Sequence, residues 1–204
     1  MSEWWDFRRE VFGDPYHVWH DGPSYELLLR ADAAVAKTLL PQGLSEGDDV
    51  AAMAYAALHD AGIPVDDAVP LLVSALPTAQ GRFKVAVAGA LHRLTGSEEW
   101  SAPIVSVLRG RESEFERLTA AIALTDFPPT PGLITVLSLA LGDDAYLVRY
   151  HAARTLLAYA GRRPPYDIPK RIFDRLAPDD ATAQWEEAAR MLLALPGLQR
   201  YLAE

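Results

Sequence analysis

Apolar positions recur along this chain with the period of a helix, and nowhere with a useful length of strand alternation. The clearest stretch is Asp143 to Gly161, DDAYLVRYHAARTLLAYAG. At about 100° per residue, Ala145, Val148, Ala152, Leu156 and Tyr159 share one side, flanked by Ala153 and Ala160. Such a stripe belongs to a helix that must be covered. Arg149 falls inside it and therefore needs a buried partner. Asp143 and Asp144, just ahead of the helix, are the natural candidates, within the same unit or the next. The pattern repeats: 32 residues earlier Arg117, Ala121 and Leu124 take the places of Arg149, Ala153 and Leu156, and 65 residues earlier Lys84, Ala88 and Leu91 do.

Taken in order, the elements pair up. Ser24 can cap a helix running to about Leu40, which PQGLSEG (41–47) turns, and an alanine-rich helix follows from about Asp48 to His59. After Gly62 and Pro64, VDDAVPLLVSAL and then Gly81 to Gly96 form the next pair. WSAPIVSVLRG overlays the earlier first helix at an offset of 33, with Pro70 over Pro103, both fitting near a helix N-terminus. ESEFERLTAAIALTDF ends at the helix-breaking run Phe127 to Pro131, and PGLITVLSLALG leads into the stretch from Asp143. The last pair begins with GRRPPYDIPKRIFDRLA; its second helix matches at an offset of 36, with Trp185 in place of the basic residue, as suits a terminal unit. The expected fold is all-α, a single right-handed α-solenoid of about five antiparallel helix pairs. Their boundaries fall at about 23–62, 63–96, 97–127, 128–161 and 162–204, behind an N-terminal cap segment 1–22.

Helix pairs of this length, with a basic residue four places before an alanine and seven before a leucine, resemble HEAT-type repeats of the short bacterial kind. The resemblance covers about residues 48–197 and is strongest over 128–161. It implies a ladder of aspartate and basic residues between units, here Asp143, Asp144, Arg149, Arg117 and Lys84. At Lys84 the chain departs from the usual arginine, and no aspartate precedes it. As a pattern of fold, the resemblance implies scaffolding and binding, with no active site to carry over.

A 50% hydrophobic fraction over 204 residues excludes general disorder. The longest uncharged stretch, Phe127 to Gly142, is broken by Pro128, Pro129 and Pro131 and is too short to span a bilayer. The start, MSEWWDFRRE, has nothing resembling a signal peptide, so the expected compartment is the cytoplasm and no membrane partner is expected. With no cysteine, disulfides, thiolate metal sites and a cysteine nucleophile are excluded. The net charge of −9 is concentrated early, since residues 1–62 carry 11 acids and 4 bases. That balance repels phosphate backbones and either serves solubility or steers a basic partner. Residues 4–19 hold Trp4, Trp5, Phe7, Phe12, Tyr16 and Trp19, which either close the end of the helical stack or form a contact patch.

Reactive constellations are sparse. The sequence has no GxSxG, HExxH, GxxxxGK[ST] or GxGxxG motif. His17 and His20, with Asp14 and Asp21 nearby, have a spacing that could hold a metal only on a regular helix, which Gly13, Pro15 and Gly22 disfavour. His59 and His92 occupy the same place in successive helices, as duplicated packing would. The pairs Asp48/Asp49, Asp66/Asp67, Asp143/Asp144 and Asp179/Asp180 all precede helices, where carboxylates cap and offset the dipole. Neither a metal nor a cofactor is expected. Some HEAT-like proteins resemble DNA glycosylases, and the cluster Arg162, Arg163, Lys170, Arg171 and Arg175 is the one feature suited to such a nucleic-acid enzyme.

The remaining signal is a surface. Opposite the core, the helix after Asp144 presents Leu147, Tyr150, His151 and Arg154, and 32 residues earlier stand Phe115, Leu118, Thr119 and Ile122. This strip is too apolar for a purely solvated face; it is either a binding surface or covered by neighbouring elements. The function expected is a non-enzymatic protein-binding scaffold that engages a basic partner through Phe115, Leu118, Ile122, Leu147, Tyr150, His151 and Arg154. In size, charge and fold such a binder resembles bacterial immunity proteins, which neutralise basic nuclease or related toxins. Other readings of the same surface are a regulatory subunit or an assembly chaperone.

Overall fold

The periodic stretches fold as helices. The structure is a computed structural model that describes residues 2–13, 18, 23–30, 33–162 and 168–203, with 33–37 in backbone only. Among the described residues there are thirteen α-helices and no strand, so the chain is all-α. In the first half these are α1 (Glu3–Phe12), α2 (Glu26–Arg30), α3 (Ala33–Ser45), α4 (Asp49–Asp60), α5 (Ala68–Ala75) and α6 (Gly81–Thr95). The second half holds α7 (Ser101–Leu108), α8 (Glu114–Ala123), α9 (Pro131–Ala140), α10 (Tyr146–Tyr159), α11 (Lys170–Leu176), α12 (Thr182–Leu193) and α13 (Pro196–Leu202). Contacts gather the chain into two compact units, Met1–Trp100 and Ser101–Glu204. No helix among the described residues is long and apolar enough to cross a membrane.

In the first unit α4 packs against α3 and α6, and α5 against α6 and α3. Ala51, Ala52 and Ala54 of α4 are fully buried, and such small side chains let neighbouring helices approach closely. Asp48 joins two elements. Its Oδ1 accepts the Val50 N–H at 2.9 Å, capping α4. Its Oδ2 accepts the Trp4 Nε1–H at 2.9 Å and pairs with Arg8 Nε at 2.6 Å, which anchors α1. Trp4 and Phe12 are buried in the core of this unit with Phe7 beside them, whereas Trp5 is exposed. Tyr16 and Trp19 lie outside the described residues.

One boundary differs from expectation. The run 41–47 does not turn the chain at Pro41; α3 continues through that proline to Ser45. Leu40 and Leu44 are buried one turn apart, and Gly43 between them faces the Trp4 ring. Their burial offsets the hydrogen bond that proline forfeits.

In the second unit α8 packs against α7 and α10, α9 against α7 and α10, and α12 against α11 and α10, with α13 against α9, α10 and α12. Its core includes Ile104, Leu124, Ile134, Leu137, Val148, Leu156, Leu176 and Leu192. Ala120 and Ala121 of α8 and Ala152 and Ala153 of α10 are fully buried. Two polar side chains reinforce that contact. Thr155 Oγ1 donates to the Ala121 carbonyl at 2.9 Å, and the Tyr159 hydroxyl donates to the Leu124 carbonyl at 2.6 Å. The Ala121 carbonyl lies in the last turn of α8, and the Leu124 carbonyl, just beyond it, also accepts the Phe127 N–H at 3.2 Å.

Two glycines should respond to alanine with opposite signs. A Cβ at Gly43 would lie 2.5 Å from the Trp4 ring, so Gly43→Ala should destabilise by about 1–3 kcal/mol. Gly89, inside α6, has no atom within 4 Å of the corresponding position, so Gly89→Ala should stabilise by about 0.5–1 kcal/mol. Urea unfolding monitored by circular dichroism checks both.

Candidate functional site

The second unit holds the seven residues expected to bind a partner, and a buried arginine lies beneath them. Arg149 is 0% exposed and sits in the apolar side of α10. Its Nε donates to the Leu176 carbonyl (2.9 Å), Nη1 to the carbonyls of Asp143 and Asp144 (2.8 Å each), and Nη2 to the Pro178 carbonyl (3.3 Å) and Asp179 Oδ1 (3.1 Å). The guanidinium also lies over the Trp185 ring at 4.2 Å, while Trp185 Nε1 donates to that same Pro178 carbonyl at 2.9 Å. Trp185 of α12 is therefore the lid on Arg149 of α10.

The aspartates ahead of α10 divide their groups between two arginines. Their carbonyls serve Arg149, and their carboxylates serve Arg117 of α8. Arg117 Nε and Nη2 grip Asp143 at 2.7 and 2.8 Å, Nη2 reaches Asp144 Oδ1 at 2.8 Å, and Nη1 donates to the Glu112 carbonyl at 2.7 Å. Asp143 Oδ1 also accepts the Ala145 N–H at 2.8 Å at the start of α10. Burial works against ionisation of Asp143, but the Arg117 and Ala145 hydrogen bonds outweigh it and hold its carboxyl below the usual carboxylate range. Lys84 makes no ion pair among the described residues. Two places earlier, Arg82 pairs with Asp49 at 2.8 Å, so the charged contact of α6 runs back to the start of α4.

With α8 and α10 fixed in register, their outer sides share an apolar surface. Phe115, Ile122 and Leu147 are 51%, 46% and 48% exposed. Leu118, Tyr150, His151 and Arg154 are half-buried. A cleft of about 240 Å³ between the first turns of the two helices is lined by Glu114, Phe115, Leu118, Ala145, Tyr146 and Leu147. Further along α10 the surface turns aromatic. The Tyr150 ring lies 6.0 Å from Tyr146, edge-on to His151 at 5.2 Å, and under the Arg154 guanidinium at 5.9 Å. Burial, and then the Arg154 charge, keep His151 below the ordinary imidazole range, so at neutral pH it is an uncharged packing group.

Sequence periodicity did not single out Tyr146 and Phe173, whose rings meet edge-on at 6.4 Å. Tyr146 was legible as the residue one turn before Tyr150 on the same helix, whereas Phe173 of α11 carries no local signal. The other candidates do not assemble into reactive sites. His92 Nδ1 contacts the Ser97 carbonyl at 2.9 Å, and His59 is exposed. His17, His20, Asp14, Asp21 and Arg163 lie outside the described residues. Within the basic cluster, Lys170 is paired with Asp174 and Arg175 with Glu187, while Arg162 and Arg171 are exposed. Among the described residues no three His, Asp or Glu side chains come together as a metal site.

Arg149→Ala would remove the guanidinium from four acceptors and a stacked tryptophan, with the Pro178 carbonyl keeping only its Trp185 bond, and should destabilise by about 3–5 kcal/mol. Arg149→Lys, with three donors and no plane to stack, should fall between. Because the folded Asp143 carboxyl ionises more readily than the unfolded one, its contribution is present above the unfolded pKa and is lost as pH falls through the folded one. Stability should thus fall from about pH 5 downward, and more shallowly in Arg117→Ala. Urea unfolding free energies measured across that range for wild type and each variant check all three expectations.

Comparison with protein-family models, with curated proteins and with solved structures finds no match.

Proposed function

We propose that this chain is a HEAT-like solenoid whose work is to bind another protein along the outer face of α8 and α10, without chemistry of its own. The observation that carries this reading is the run of Phe115, Leu118, Ile122 and Leu147, half-exposed on two adjoining helices and continued by the Tyr150 ring. Apolar side chains of this size gathered on one face cost solubility unless a partner covers them. Large aromatic groups with an arginine beside them, here Arg154, are the side chains on which binding energy concentrates. The packing of α8 against α10 and of α7 against α9 supports the solenoid reading, since stacked helix pairs bring second helices side by side and first helices side by side. The rungs from Arg117 to Asp143 and from Arg149 to Asp179 repeat the same step between successive second helices, as the HEAT resemblance implies.

The partner we infer is basic. Residues 1–100 carry 15 acids against 7 bases, and residues 101–204 carry 13 against 12. The first unit supplies the field that accelerates encounter, and the near-neutral second unit supplies the contact. An acidic, cysteine-free binder of this size fits an immunity-type inhibitor of a basic toxin. Regulatory subunits and assembly chaperones share the same surface logic and differ in what the partner does.

A partner captured with this chain, once purified, should lose about 2 kcal/mol or more of affinity when Phe115 and Tyr150 are both replaced by glutamate, with helicity unchanged by circular dichroism. Its association rate should also fall steeply with added salt. Calorimetric affinity that ignores the double replacement would sink the proposed face.

A further inference from the structure

We propose that the cleft between the first turns of α8 and α10 receives an arginine side chain from the partner protein. This rests on the protein-binding reading and names the chemistry of its anchor. The stem of the arginine lies on Leu118 and Leu147, and its guanidinium meets the Phe115 ring and the Glu114 carboxylate.

Three properties of the cleft select that occupant. Its lining joins the apolar Phe115, Leu118, Ala145 and Leu147 to Glu114 and Tyr146, so the occupant needs an apolar stem that ends in a polar group. A purely apolar occupant would strip water from the Glu114 carboxylate without replacing its hydrogen bonds, which is costly. A cation at the end of the stem removes that cost. Tyr146 already takes the Arg149 guanidinium over its ring at 5.9 Å, which leaves Phe115 as the aromatic wall for the incoming cation, and a planar guanidinium stacks on a ring better than an ammonium does.

An anion is selected against, although both helices begin at the cleft. The donor just ahead of each helix already serves a carboxylate of this chain, the Ser113 N–H on Glu116 and the Ala145 N–H on Asp143. Ser113 and Glu116 cap α8 reciprocally. The charge next to the cleft is negative as well, because Asp144, immediately before Ala145, is 92% exposed in its side chain and only one of its oxygens is engaged, by Arg117. An arginine-bearing segment fits both the cleft and the acidic balance of the whole chain.

The test uses the full chain, labelled with nitrogen-15, and two capped tripeptides, Ac-Leu-Arg-Leu-NH₂ and its counterpart with citrulline, the neutral isostere of arginine. Saturable shifts of the Glu114, Phe115, Ala145, Tyr146 and Leu147 amides are expected with the arginine peptide. Affinity should be about threefold or more weaker for citrulline, with the difference erased in Glu114→Gln. Equal affinity for the two peptides overturns the arginine anchor and leaves an apolar cleft, so the protein-binding reading would stand. Shifts elsewhere, or none at these five amides at millimolar peptide, overturn the anchor too. The broader reading falls separately, if the captured partner still binds after Phe115 and Tyr150 are replaced.

Discussion

A guanidinium in an apolar stripe has to find acceptors wherever the chain can supply them, and the second unit is built around meeting that demand. Arg149 draws on carbonyls from the turn before α10 and from the end of α11, on the turn carboxylate of Asp179, and on the face of Trp185. Those groups lie in the turns before α10 and α12, at the end of α11 and in α12 itself. One buried cation therefore fixes the spacing between α10, α11 and α12 more sharply than apolar contact alone would, because hydrogen bonds are directional and dispersion is not. Arg117 does the same between α8 and the start of α10, with carboxylates in place of carbonyls. Asp48 plays the reciprocal part in the first unit, as one carboxylate accepting from α1 and from the first turn of α4.

That rigidity bears on function because the proposed contact surface has no scaffold of its own. Phe115 and Leu118 stand on α8, and Tyr146, Leu147 and Tyr150 on α10, so the cleft between them is only as well defined as the register of the two helices. Register is held from the opposite side, by Thr155 on the Ala121 carbonyl, Tyr159 on the Leu124 carbonyl and Arg117 on Asp143. The polar groups keep α8 and α10 aligned from behind, which leaves their outer faces free to carry apolar groups.

Much of this was legible in the residues. The 3.6-residue period determined that the chain is all-α, because each stripe of Val, Leu and Ala has one helical side to bury. It also placed Arg149 in a buried position and named Asp143 and Asp144 as its neighbours. The outer positions Phe115, Ile122 and Leu147 were readable by elimination, as large apolar groups outside the stripe. What periodicity could not tell is which atom each neighbour would offer, since a carbonyl and a carboxylate of one aspartate are equally close in sequence. Asp143 gives its carbonyl to Arg149 and its carboxylate to Arg117, a division settled by where α8 lies.

Only the tertiary structure decided the rest, and in each case the reason is contact between segments distant along the chain. Pro41 reads as a break by local propensity, yet burial of Leu40 and Leu44 and the seat of Trp4 against Gly43 carry α3 past it. Lys84 reads as a rung by its place in the repeat, yet Arg82 reaches Asp49 instead. Phe173 joins the aromatic surface through Tyr146 with nothing in its own neighbourhood to announce it. The chain by itself determined which residues must be buried and that helices would bury them; three-dimensional packing decided which buried polar group meets which, because hydrogen bonds depend on angles and ångströms that a one-dimensional period does not contain.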